Sequence, residues 1–173
     1  MFNIAVHGHF YQPPREDPWL GVLNKDASAA PFHDWNERIC SECYKPMSEA
    51  KVLAPDGRIL SSVNNYSHMS FNFGPTLHKW IEKSYPSLNK TITMSGDRAI
   101  AQCYNHIIMP LASDEDKKTQ VVWGIKDFIY RFGRKPEGMW IPETAVNIRT
   151  LEVMAKEGIS FTILAKEQCQ AVE

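Results

Sequence analysis

The sequence contains no run of about 18 consecutive apolar residues, the length a bilayer-spanning helix demands, so no segment reads as a membrane span. Its first residues, Met1-Phe2-Asn3-Ile4-Ala5-Val6, have neither the charged lead nor the long apolar stretch of an export signal, and a cytoplasmic location is expected. Cysteine is scarce. With 4 in 173 residues there is no disulfide scaffold, and reduced thiols are expected. An excess of either charge is also lacking, since 19 Lys+Arg against 20 Asp+Glu leave a net charge of −1. No basic field exists to hold a nucleic-acid backbone, and no acidic tail invites a basic partner. The 9 Gly and 11 Pro are close to ordinary usage, which excludes fibrous and disordered classes. The glycines form no phosphate-cradling loop, and no serine stands in a nucleophile elbow.

What is present is enough apolar material, 43% of residues, to build a core for the one domain that the length suggests. Residues 2–6 read as a buried first strand that opens into His7-Gly8-His9. The next fifty residues are irregular, interrupted by Pro13-Pro14, Pro18, Pro31, Pro46 and Pro55. One helical piece is expected over 34–44, with Trp35, Ile39 and Cys43 on one face. Met69, Phe71 and Phe73 alternate with polar neighbours as a second strand, and Gly74-Pro75 starts a helix carrying Leu77, Trp80 and Ile81 that ends before Pro86. Residues 91–94 suggest a third strand and 98–108 a short helix leading to Pro110.

After Ser113-Asp114, the residues Val121, Ile125, Phe128, Ile129 and Phe132 fall at helical spacing, and Gly133 supplies the stop. Residues 138–141 read as a strand. Asn147 then caps a helix with Leu151, Met154 and Ala155 facing inward, closed by Gly158. Residues 159–164 make the last apolar strand. Strands and helices therefore alternate, which predicts an α/β protein with a parallel sheet or part of a (β/α) barrel. A complete barrel takes about 200 residues or more. Residues 1–173 are therefore expected to be one domain, the truncated N-terminal portion of such a barrel, whose open sheet edge makes a homo-oligomer a reasonable expectation.

Active sites of such barrels lie at the C-terminal ends of the strands. That rule selects His7-Gly8-His9, the segment 95–106, and Pro142-Glu143. Glu143 follows an apolar Gly138-Met139-Trp140-Ile141 strand, with Trp140 offering a face on which a sugar ring can stack beside a carboxylate. Against this stands the plain alternative that Glu143 caps the helix at Asn147 or forms a surface pair. His7 and His9, two apart, suit either metal ligation or hydrogen bonding to sugar hydroxyls, and could equally just line a strand end. Cys40-Ser41-Glu42-Cys43 is half of a zinc pattern without a second half and reads as a packed helix edge. The charged run 114–118 reads as a solvated first helical turn.

His7-Gly8-His9-Phe10-Tyr11-Gln12-Pro13-Pro14 resembles the first conserved region of glycoside hydrolase family 57, which centres on His-Gln-Pro. Here Phe10-Tyr11 separates the histidine from Gln-Pro. His106-Ile107-Ile108-Met109-Pro110-Leu111 is similar to the family's second region, and Gly138-Met139-Trp140-Ile141-Pro142-Glu143 to the third, in which a Trp-Leu-x-Glu segment supplies the nucleophile. The longer wording through Thr144-Ala145-Val146 resembles an uncharacterised branch of the family. The resemblance implies an incomplete seven-stranded (β/α) barrel of the glycoside hydrolase/deacetylase type, acting on α-glucans or oligosaccharides by retaining hydrolysis or transfer. It implies Glu143 as nucleophile, with His7, His9, Gln12, His106 and Trp140 as substrate-binding residues and no metal or cofactor. The acid/base Asp of the family lies in a later region, expected beyond residue 173, so the chain by itself is expected to lack glycosidase activity. Two other readings stay open. One is a metal-dependent hydrolase or deacetylase using His7 and His9, with His106 as a further ligand; the other is a carbohydrate-binding barrel fragment without chemistry.

Overall fold

The computed structural model describes residues 4–168. They fall into two compact units, one formed by the stretches up to 70 and 76–98, the other by 71–75 and 99 onward. Phe2, at the head of the expected first strand, lies outside the described residues. Ile4 and Val6 are exposed, and strand β1 is His7–Phe10, so the strand begins where the sequence reading ended it. The Val6 carbonyl accepts the backbone N–H of Ser70, which registers the chain just ahead of β1.

In the first unit, Asp34 caps helix α1 (Trp35–Ile39) by accepting the Glu37 N–H. The chain continues through a wide π turn, Cys40–Tyr44, into α2 (Lys45–Ser48). The helix expected over 34–44 therefore exists, but its buried face is Asn36, Cys40 and Tyr44 rather than Trp35, Ile39 and Cys43. The reason is an aromatic cluster: Phe10 meets Tyr44 and Tyr66 edge-on at 5.8 and 5.6 Å, and the Tyr66 hydroxyl donates to the Tyr44 carbonyl.

Where irregular chain was expected, β2 (Ala50–Leu53) and β3 (Ile59–Val63) form an antiparallel hairpin. Its turn carries Pro55-Asp56-Gly57, with Gly57 at positive φ, a turn signal that the scattered prolines obscured. Strand β4 (Ser70–Phe73) leads into helix α3 (Pro75–Ser84), and α4 is Pro86–Met94. Residues 91–94 are therefore helical, not a strand. Pro86 opens α4 at a position whose N–H needs no partner, and Leu88 and Ile92, one turn apart, are both buried.

The second unit is organised by a parallel ladder. Strand β5 (Ala101–Gln102) pairs with β6 (Met139–Trp140), and single parallel bridges join Phe71 to Ala99 and Gly138 to Phe161. Four backbone bonds run across it: Ile100 N–H to Phe71, Ala101 to Gly138, Cys103 to Trp140, and Met139 to Phe161. Segment 98–108 is thus a strand and loop rather than a helix, because residues 99–103 are all buried inside the ladder. The strand expected over 159–164 contributes one bridge at Phe161.

Helix α5 (Asp114–Phe132) is capped by Ser113 and ends on left-handed Gly133, as its periodicity predicts. Asn147 caps α6 (Ile148–Lys156), whose buried residues are Thr150, Val153 and Met154; Ala155, expected to face inward, is exposed. Helix α5 lies on β5 with Gly124 against the Gln102 carbonyl, so close that a Cβ there would collide with backbone. Gly124→Ala is expected to destabilise the chain by about 1–3 kcal/mol in urea denaturation, because this clash outweighs the better helix propensity of alanine. A neutral or stabilising result would mean α5 sits farther from β5.

Candidate active site

The end of β6 decides where Glu143 goes. Met139 and Ile141 are fully buried, Trp140 between them is half-buried, and Pro142 is buried behind them. The chain then turns through Pro142–Thr144, with Thr144 N–H bonded to the Ile141 carbonyl and Ala145 N–H to that of Pro142. Two consecutive non-glycine residues, Glu143 (φ 55°) and Thr144 (φ 51°), adopt the left-handed region. Each such residue costs roughly 1–2 kcal/mol relative to the right-handed region. The twist holds the Glu143 side chain in solvent, 67% exposed, instead of letting the chain run straight into α6. Glu143 does not cap α6, because Asn147 does.

His106 reaches this carboxylate from the segment after β5. Tyr104 N–H donates to the Gln120 backbone carbonyl and Asn105 N–H to the Gln120 side-chain oxygen, so one buried glutamine of α5 clamps the two residues before His106. Tyr104 also meets Trp123 edge-on at 5.6 Å. The His106 Nδ1 lies 3.8 Å from a Glu143 oxygen, an electrostatic neighbour rather than a hydrogen bond. Its side chain is only 11% exposed, and burial holds the imidazole below its ordinary value near 6.5, with the Glu143 carboxylate pulling the other way. His106 is therefore neutral at pH 7. Gln120 was missed by sequence reading, although a polar residue beside Val121 on the apolar stripe of α5 was the available signal.

The other expected site residues belong to the first unit. His7 and His9 sit in β1 itself, not after it. The His7 Nδ1 is 2.8 Å from the Ser70 hydroxyl, and the His9 ring stacks parallel to Tyr11 at 6.3 Å. Gln12 donates to the Tyr44 hydroxyl and accepts from Arg15, while its backbone carbonyl accepts from Thr76. Within the units, then, Glu143 and His106 are brought together, and His7, His9 and Gln12 share the β1 segment.

No three His, Cys, Asp or Glu side chains among the described residues are grouped to hold a metal ion. Cys40, Cys43 and Cys103 are free, and burial pushes the Cys40 thiol up to about 11 and Cys103 up to about 12, which leaves them unreactive. Cys169 lies outside the described residues. Among those residues no helix is long and apolar enough to cross a membrane.

The low His106 value means that the unfolded chain takes up a proton before the folded one does. Its contribution to stability is complete above about pH 6.5 and is lost as the pH falls below that. Glu143→Gln removes the attraction that favours imidazolium, so an NMR titration of His106 is expected to move to still lower pH; no movement, or an upward one, would separate the two groups. Glu143→Gly relieves one left-handed residue at an exposed site. It is expected to raise stability by up to about 1 kcal/mol, and a loss in the denaturation midpoint would contradict the strain.

The sequence matches Glycosyl hydrolase family 57 over residues 1–169. It is 25% identical over 133 residues to alpha-amylase 1 of Dictyoglomus thermophilum, covering 74% of this chain and 18% of the amylase. The fold is similar to that of the 4-alpha-glucanotransferase from Thermococcus litoralis, with a TM-score of 0.61 and 14% identity, covering 93% of this chain and 22% of the transferase. It is also similar to an exo-type maltose-forming amylase from Pyrococcus sp. ST04, with a TM-score of 0.65 and 14% identity, covering 91% of this chain and 28% of that one. The chain thus spans less than a third of the length of each of these three proteins. Their α/β architecture with parallel strands is the (β/α)-barrel type that the alternation of elements predicts. With the profile match running over nearly all of its residues, the chain belongs to glycosyl hydrolase family 57.

Proposed function

We propose that this chain supplies the nucleophile half of a retaining enzyme that cleaves or transfers α-glucosidic bonds. The observation that carries the reading is Glu143, an exposed carboxylate on a doubly left-handed turn at the C-terminal end of a buried parallel strand, beside a neutral histidine. Strained backbone clusters at sites where a side chain must be aimed, and the strand end is where barrel enzymes carry their chemistry. In this reading a Glu143 oxygen attacks the anomeric carbon, the glycosidic C–O bond breaks, and a glycosyl–enzyme ester forms. Water or an acceptor hydroxyl then displaces Glu143 with the same net configuration.

A neutral His106 places no positive charge beside the reacting carbon, where an imidazolium would oppose the positive charge that develops on the sugar. The family resemblance assigns Trp140 in the second unit, and His7, His9 and Gln12 in the first, to sugar binding, as ring platform and hydroxyl partners. A retaining pair needs a second carboxyl about 5–5.5 Å away to act as acid and then base. The family resemblance assigns that group to an Asp beyond residue 173, and no carboxylate of the described residues is promoted to it.

In a protein carrying this chain and turning over maltooligosaccharides, Glu143→Gln is expected to lower turnover on the order of 10³-fold or more while substrate affinity stays within about threefold. In Glu143→Ala, added azide should restore turnover and yield the glycosyl azide of inverted configuration. Substantial residual activity in the Gln variant, or rescue with retained configuration, removes Glu143 from the nucleophile position.

A further inference from the structure

The first unit contains a cleft of about 470 Å³ whose walls include Pro14, Arg15, Asn24, Asp26, Asp34 and Trp35. Its aromatic wall is fixed. The Trp35 indole N–H donates to the Ser28 hydroxyl at 2.9 Å, and the Arg38 guanidinium sits 4.8 Å from the ring centroid on one face. Arg38 is not part of the cleft lining, whereas Trp35 is.

The polar wall is mixed. Asp26 accepts from the Ser28 N–H and hydroxyl through one oxygen, and Asp34 accepts from the Glu37 N–H through one and meets His33 through the other. Arg15 gives one terminal nitrogen to Gln12, yet its Nε is buried and has no partner within the protein. Lys25 and Arg15 balance Asp26 and Asp34 in formal charge, which favours a neutral ligand over an anion. A rigid aromatic face, donors, spare carboxylate lone pairs and no net charge together describe a sugar ring with its apolar face and its ring of hydroxyls.

We propose that this cleft is a subsite for a glucosyl unit of an α-glucan, with Trp35 as the platform and the Arg15 guanidinium among the polar groups that line it. The Arg15–Gln12 bond joins it to a residue already assigned to sugar binding. The ligand class rests on the α-glucan reading of Glu143, while the cleft itself does not.

Maltoheptaose titrated into the full chain, followed by NMR at the assigned indole N–H groups of Trp35 and Trp140, reads the cleft and the Glu143 turn separately. The Trp35 signal is expected to move and saturate. Trp35→Ala and Arg15→Met should each weaken the affinity read at the Asn24 and Asp26 amides about three- to tenfold, while Trp35→Phe, which keeps a ring and guards against misfolding, stays near the original. Movement at Trp35 without movement at Trp140 supports the cleft and counts against Glu143. Movement at Trp140 alone overturns the cleft and leaves the Glu143 reading standing, and no movement at either overturns both. Saturable shifts indifferent to both substitutions overturn the cleft, as does tighter binding of glucose 6-phosphate than of maltoheptaose, which would make it an anion site.

Discussion

The second unit hangs on one buried parallel ladder, in which Phe71, Ile100, Ala101, Gly138, Met139 and Phe161 exchange backbone hydrogen bonds. Parallel strands are tolerable only when both faces are covered, and here residues 99–103 are buried without interruption while α5 seats Gly124 on the strand backbone. Because Ile141 and Pro142 are also buried, the chain has no freedom to drift as it leaves β6. All the change of direction is taken by Glu143 and Thr144. The ladder thereby fixes where the backbone of Glu143 lies.

The electrostatics follow from the same geometry. Gln120 of α5 holds the loop after β5, and the near-buried His106 that follows is kept neutral by desolvation against the pull of the Glu143 carboxylate. Desolvation wins because the carboxylate is exposed and 3.8 Å away, where water screens most of the attraction. The result is an exposed carboxylate with a neutral polar neighbour. Strain at Glu143 costs stability, which is a common arrangement where a site must be held against its own preferences.

The elements most legible from sequence were those whose signals agree at several levels. Helix α5 has a Ser113 cap, a sustained apolar stripe and Gly133 as its stop; Asn147 marks α6 as clearly. Short apolar runs carried no such agreement. Residues 91–94 and 98–108 were exchanged between helix and strand because short, partly apolar segments fit either period, and the Ala101-Gln102 strand has little strand propensity to announce it. Ladder burial, a tertiary effect, decided 98–108, whereas 91–94 continue the helix that Pro86 opens and that buries Leu88 and Ile92. In the site, the position of Glu143 after an apolar strand was readable. The double left-handed turn was not, since Pro142-Glu143-Thr144 offers no Gly or Asn to signal positive φ. The approach of His106 was hidden too, because it depends on a glutamine fourteen positions later in the chain.

A direct measurement is to incubate a protein that carries this chain and turns over maltooligosaccharides with a 5-fluoro glucosyl fluoride and locate the label by mass spectrometry. Fluoride departs without help from a general acid, so ester formation needs only the nucleophile. The label is expected on the peptide containing Glu143 and absent from Glu143→Gln. An unlabelled chain, or a label on any other carboxylate, would contradict Glu143 as the attacking group.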